Sequence, residues 1–343
     1  MSRVLVSLFF ITMMANVPCG ADELDVRTTQ SRLCPASDPI DFSKIESPIV
    51  LQGDEIHAYR DPAGHYHDGV FRVFHTLCRK EDDGHYYWYL SVIKSRNLIH
   101  WTHPRILTRR NRKLNFSSPG NVILCKDKWM LCLQTYPTPN DEIFGNADAR
   151  IWTMTSDDLE TWSEPKLLKV KGPDVPVKKM GRMIDPYLVE DRTEPGKWWC
   201  FYKQNGVSMS WTRDFNSWTY FGRTDCGENV CVLTDSQGYT LFHSPRNGIG
   251  VKRSKDLQDF EDIAHYRLGQ GNWPWAKFRL TAAHVLDLRD ESRVGRYVMF
   301  FHGERRRHRA HGDATLGLAW SDDLVHWQWG GKKSDSATSS KPE

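Results

Sequence analysis

Three carboxylates stand out because each lies in a turn-forming segment just ahead of a β-rich run. Asp61 opens Asp61-Pro-Ala-Gly64, ahead of Val70-Phe-Arg-Val-Phe74. Asp185 opens Asp185-Pro-Tyr187, ahead of Trp198-Trp-Cys-Phe-Tyr202, and Glu228 sits in Cys226-Gly-Glu-Asn-Val-Cys231, ahead of Gly238-Tyr-Thr-Leu-Phe242. Carboxyl groups gathered at one place can divide labour. One protonates a leaving oxygen while another, ionised, acts on the anomeric side of a sugar, which is what hydrolysis of a glycosidic bond needs. At neutral pH the donor must hold its proton, so it needs burial or a neighbouring anion to raise its pKa. Taken singly, Asp-Pro is a common turn dipeptide and Glu228 an ordinary loop residue. They form a site only if the fold brings them together.

The elements that would do so are visible as a repeat. One short pattern occurs five times: Ser95-Arg-Asn-Leu-Ile-His-Trp101, Ser156-Asp-Asp-Leu-Glu-Thr-Trp162, Thr212-Arg-Asp-Phe-Asn-Ser-Trp218, Ser254-Lys-Asp-Leu-Gln-Asp-Phe260 and Ser321-Asp-Asp-Leu-Val-His-Trp327. Each copy follows a β-rich run, such as Ile151-Trp-Thr-Met-Thr155, and reads as a strand end, a tight turn shaped by Asp or Asn, and a short outer strand that buries its aromatic. The copies begin 61, 56, 42 and 67 residues apart, room for one four-stranded sheet each. Alternating apolar runs split by turn signals fill the intervals, and long amphipathic helices are absent from the pattern. Sheets repeated radially around a channel hide their edges, so the expectation is an all-β, five-bladed β-propeller. In that architecture the innermost strands line the channel, and the three acids stand at the starts of such strands in blades one, three and four.

This layout resembles the five-bladed β-propeller glycoside hydrolases, family 43 above all, with relatives in families 32, 62, 68 and 117. The resemblance spans residues 46–331. It implies a glycosidase in which Asp61 is the general base, Asp185 tunes the acid and orients substrate, and Glu228 is the general acid, with inversion at the anomeric carbon. It also matches His284, in Leu280-Thr-Ala-Ala-His-Val-Leu286, to a blade-five histidine near a central ion or water. Asn229-Val230 follows Glu228 where these families often have Gly-Pro or Cys-Pro. Asp61-Pro-Ala-Gly64 leans toward the family 32 pattern, with Arg60 in place of Asn. A retaining, family 32-like fructosidase, a phosphorolytic, family 130-like propeller and a non-catalytic glycan binder therefore stay open, as do the sugar and linkage. No cofactor is required, and a structural calcium is the one ion left open.

Other residues are candidates for substrate contact: Arg60, Arg182 and Arg246 beside blade starts, and Trp273 and Trp275, whose rings would stack on sugar. The basic run Arg305-Arg-Arg-His-Arg309 would suit an anionic glycan. Aromatics at 12%, with 14 Trp, fit both a β-rich fold and a carbohydrate partner. A net charge of +3, with no nucleic-acid motif, argues against DNA or RNA. Arg3, an apolar run over residues 4–14 and the small residues ending Cys19-Gly-Ala21 form a secretory signal covering residues 1–21. The chain is thus expected to be secreted or periplasmic, with no membrane attachment after cleavage. A polar lead-in covers residues 22–45, then the propeller 46–331 and a disordered tail 332–343. Seven cysteines remain after the signal, an odd number that argues against a fully paired framework. Cys125 and Cys132 flank the hairpin turn Lys126-Asp127-Lys128, which would set them across from each other.

Overall fold

The computed structural model describes residues 38–306 and 313–332. The signal segment, residues 22–37 of the lead-in, residues 307–309 of the basic run and residues 333–343 of the tail lie outside the described residues. Five antiparallel sheets succeed one another along the chain. Blade one comprises His57–His67, Val70–Lys80, Tyr86–Ser95 and Arg105–Ile106. In blade two the inner strand is split into Phe116–Ser117 and Val122–Cys125, with Lys128–Thr135, Ile151–Ser156 and Lys166–Leu167 beyond it. Blade three is Ile184–Glu190, Trp198–Lys203, Val207–Thr212 and Trp218–Thr224, and blade four is Glu228–Asp235, Gly238–Ser244, Ile249–Ser254 and Glu261–Tyr266. Blade five is Arg279–Leu288, Arg296–Glu304 and Ala314–Ser321. The first strands of blades three and four, four and five, and five and one pack against one another, while blade two meets blade one through the latter's second and third strands and blade three through its own second strand. This is the expected five-bladed propeller.

The five sequence copies occupy equivalent places, each at the end of its blade's third strand. Their turn has a specific wiring. The Ser95 hydroxyl accepts the N–H groups of Asn97 and Leu98, and the Asn97 side chain accepts those of Ile99 and His100. Ser156 and Asp158, Thr212 and Asp214, and Ser254 and Asp256 repeat the pattern. The fourth residue carries the backbone strain of the turn: Leu98, Leu159, Phe215, Leu257 and Leu324 all have φ between 61° and 64°, a region that non-glycine residues rarely enter. Burial of that side chain, with Leu98 at 2% and Leu257 at 0% exposure, offsets the strain.

The cores lie between blades. Side chains alternate across each strand, so one strand feeds two neighbours. Trp199 and Phe201 face blade four, while Cys200 and Tyr202 face blade two. This explains why Trp198-Trp-Cys-Phe-Tyr202 reads as an unbroken apolar run and not as an alternating one. Ring closure uses the N-terminal side of the chain. Ile49–Leu51 pairs antiparallel with Ala314–Ser321, the third strand of blade five, and Trp327–Gln328 pairs with the same strand. Upstream, Phe42 and Ile45 are buried against blades one and five, so the described end of the lead-in packs on the ring while the closing strand lies just beyond it.

The six cysteines among the described residues are all free. Across the hairpin of blade two, Cys125 pairs in register with Lys128, Ile123 with Met130 and Val122 with Leu131. Cys132 therefore falls beside Asn121, whose N–H points at its Sγ at 3.4 Å. The register thus overturns the expected facing of Cys125 and Cys132. No helix among the described residues is long and apolar enough to cross a membrane.

Candidate active site

Each inner strand is broken near its start by an irregularity that carries one residue in the left-handed region. These are Asp61 (φ 47°), Ser118 (φ 42°), Asp185 (φ 52°), Asn229 (φ 52°) and Ala282 (φ 55°). Register shifts fall at the same places in blades one, three, four and five. Asp and Asn tolerate this conformation better than most residues. The proline after Asp61, Ser118 and Asp185 has no N–H to offer a ladder, so an irregularity is where it fits. A bulge of this kind re-aims side chains. Asp61, Ser118 and Asp185 thus hold equivalent positions in three blades, whereas Glu228 stands one residue earlier, equivalent to Arg60 and Thr281.

Asp61, Asp185 and Glu228 line one pocket of about 580 Å³, together with Arg60, Arg182, Lys203, Arg279, His302 and Glu304. Two of the acids are tied through hydroxyls. Thr76 Oγ1 donates to Asp61 Oδ2 at 3.2 Å and accepts the Ser118 N–H at 2.7 Å, and Ser118 Oγ donates to Asp185 Oδ1 at 2.9 Å. The Asp185 N–H donates to Gln134 Oε1 at 2.5 Å. Burial, and then the charge of Asp61, raises the Asp185 pKa against the opposing pull of Lys203 and Ser118. Glu228 is in a different environment. It is ion-paired to Lys203 and, at 2.7 Å, to Arg279. Burial pushes the Lys203 pKa down.

A second row supports Asp61 from behind. Its N–H donates to His302 Nδ1 at 3.1 Å, so a neutral His302 carries its proton on Nε2, which lies 3.5 Å from Glu304 Oε1. Arg60 pairs with the same Glu304 oxygen at 2.8 Å. Burial opposes ionisation of Glu304, but Arg60 and His302 outweigh it and hold the carboxyl well below its usual range. Burial lowers the His302 pKa, with Glu304 and Asp61 opposing.

Solved structures share this architecture. An exo-1,5-α-L-arabinanase from a bovine ruminal metagenomic library matches with TM-score 0.52 and 16% identity over 79% of this chain and 95% of its own. The catalytic domain of a Coprinopsis cinerea GH62 α-L-arabinofuranosidase matches with TM-score 0.57 and 14% identity, over 82% and 97%. A thermostable family-43 glycoside hydrolase gives 0.54 and 14%, over 82% and 98%. The chain shares their fold. No protein-family model matches it, and no curated protein does. At these identities the likeness is one of fold.

The expected substrate contacts divide. Arg60 and Arg182 line the pocket, Arg60 already paired and Arg182 donating through Nε to the Gly145 carbonyl. Arg246 lies outside it, in an adjoining depression with Lys203, Glu228 and Arg279. Trp273 and Trp275, expected to stack on sugar, are instead core: at 8% and 7% exposure they stack on each other, 5.0 Å between centroids, and on Phe301. They pack against Phe301, Gly303, Gly317 and Trp329 and offer no face to a sugar. The exposed rings at the pocket are Phe144, at 61%, and Phe278, at 40%. His284 lines a neighbouring void of about 20 Å³ shared with Asp61, Asp185 and Asn229. Burial lowers its pKa to about 4. Calcium takes six to eight oxygen ligands. Among the described residues no group of three or more His, Cys, Asp or Glu could hold a metal.

Lys203, Arg279, His302 and Glu304 were not among the sequence candidates, since single basic or acidic residues at strand ends carry no pattern. Ser118 did carry one: Ser118-Pro119 repeats the Asp-Pro step of blades one and three.

Proposed function

We propose that the chain is a glycosidase that cleaves O-glycosidic bonds in a poly- or oligosaccharide by carboxylate acid–base catalysis. The observation that carries this reading is the convergence of Asp61, Asp185 and Glu228, from three blades, on one pocket. In this reading Asp61, held by Thr76 and His302, is the base that activates water. Glu228 is the proton donor, and Asp185 is the neighbour that orients substrate. Two cations on Glu228 favour its anion, so a donor role requires substrate to separate Glu228 from Lys203 and Arg279. The same charge pattern favours a second assignment, in which Asp185, whose burial beside Asp61 favours the proton, is the donor.

The test is a screen for sugar release from arabinan, xylan, fructan and sulfated algal glycans, with and without phosphate, and then a leaving-group comparison. Asp61→Asn is expected to abolish cleavage of all substrates. Glu228→Gln is expected to abolish cleavage where the leaving group is poor and to spare aryl glycosides that need little protonation. If Asp185→Asn shows that selective loss instead, Asp185 is the donor. Full activity in all three variants would refute the glycosidase site. NMR of the first-formed anomer reads inversion against retention.

A further inference from the structure

We propose that the wall beside Glu228, where the loops of blade four meet Lys203 of blade three and Arg279 of blade five, is a subsite for an oxyanion carried on the sugar, the carboxylate of a uronic acid or a sulfate ester. This rests on the glycosidase reading of the same pocket. Beside Glu228 a depression of about 300 Å³ gathers Lys203, Arg246 and Arg279. It continues into an open groove of about 590 Å³ lined by Arg246, Arg267, His265 and Phe278. Four cations therefore stand along this wall, and Glu228 is the one carboxylate that pairs with any of them among the described residues. Arg246 and Arg267 make no side-chain ion pair or hydrogen bond among the described residues, which they share with Arg223 of blade three, whereas Arg213 is paired with Glu194, Arg253 with Asp235 and Arg289 with Asp287.

The loops that present the two free guanidinium groups are pinned. Asn247 Oδ1 accepts from Gln270 Nε2 and from the Leu280 N–H, and His265 Nε2 contacts the Asn247 carbonyl at 2.8 Å. A held loop loses little freedom when ligand arrives. The planar fork of a guanidinium matches carboxylate and sulfate oxygens, and the half-exposed Phe278 ring offers a flat apolar face to a pyranose beside them. Free phosphate shares this anion chemistry, and the experiment separates the two sources.

The full chain, as wild type and as Asp61→Asn, is titrated with oligogalacturonide and its carboxyl-reduced form, with sulfated galactan oligosaccharide and its desulfated form, and with inorganic phosphate. At least one charged glycan is expected to bind about tenfold tighter than its neutral counterpart, the scale of a charge-assisted contact. That preference is expected to shrink with added salt and to vanish in Arg246→Gln/Arg267→Gln. Equal binding of charged and neutral glycans overturns the proposal, as does phosphate binding without any preference among glycans. Because binding is read in the Asp61→Asn variant as well, the two readings fail separately. Charged-glycan binding without any cleavage by wild type would leave the subsite standing and sink the glycosidase. Cleavage of neutral glycans with no charge preference would do the reverse.

Discussion

Asp185 and Glu228 share a pocket and the nearby cation Lys203, but Asp185 also feels the charge of Asp61 while Glu228 is ion-paired to both Lys203 and Arg279, and the difference is testable. Removing a cation from Glu228 makes its proton easier to hold. If Glu228 is the donor, Lys203→Met and Arg279→Met are each expected to move the alkaline limb of the kcat/KM–pH profile upward. An unmoved limb would assign the proton to another group. Asp185 has its folded pKa raised above the unfolded value, by burial and then by Asp61. The folded state therefore binds the proton more readily, and stability falls as pH rises from the unfolded pKa through the folded one. Asp185→Asn removes that loss. It is expected to stabilise the protein by roughly 1 kcal/mol at pH 7, with the gain shrinking below about pH 4, where the aspartate is protonated in both states. Urea unfolding at the two pH values checks this, and a gain equal at both would show that charge is not its cause.

At the scale of elements, the turn after each third strand is held by side chains that take over backbone hydrogen bonds. Ser95 is 1% exposed, and its hydroxyl accepts two N–H groups, one of them the buried N–H of Leu98. Ser95→Ala leaves that donor without a partner, at a cost of about 1–3 kcal/mol. Thermal or urea unfolding would register it, and Ser95→Thr, which keeps the hydroxyl, is expected to recover most of it. Equal losses in both variants would mean that packing, not the hydrogen bonds, fixes the turn. The inner-strand irregularities belong to this scale too. They place Asp61 and Asp185 at equivalent positions, which is why one hydroxyl ladder through Thr76 and Ser118 can reach both.

For the whole molecule, ring closure is the feature that no single blade supplies. Ile49–Leu51 joins the last blade's third strand, and Phe42 and Ile45 fill the seam between the last blade and the first. Deleting residues 38–51 would expose a strand edge and an apolar seam together. The expected result is a lower unfolding temperature and association seen by size-exclusion chromatography. An unchanged, monodisperse protein would show that Trp327–Gln328 closes the ring unaided.

The sequence by itself determined the repeat and, through it, the number of blades. Five copies of a hydroxyl, an acid or amide and an aromatic at constant spacing specify a local turn, and local hydrogen bonds need no tertiary contact to be legible. Asp61, Asp185 and Glu228 were legible for a related reason, since each stands in the first half of an inner strand whose place in the ring follows from the repeat. Tertiary structure alone decided what surrounds them. Glu228 meets Lys203 from blade three and Arg279 from blade five, and Asp61 meets His302, 241 residues away. It also decided that Trp273 and Trp275 are core, because whether a ring meets sugar or another blade depends on which surfaces the closed ring covers. Charge state and exposure are properties of neighbours, and neighbours in a propeller come from other blades.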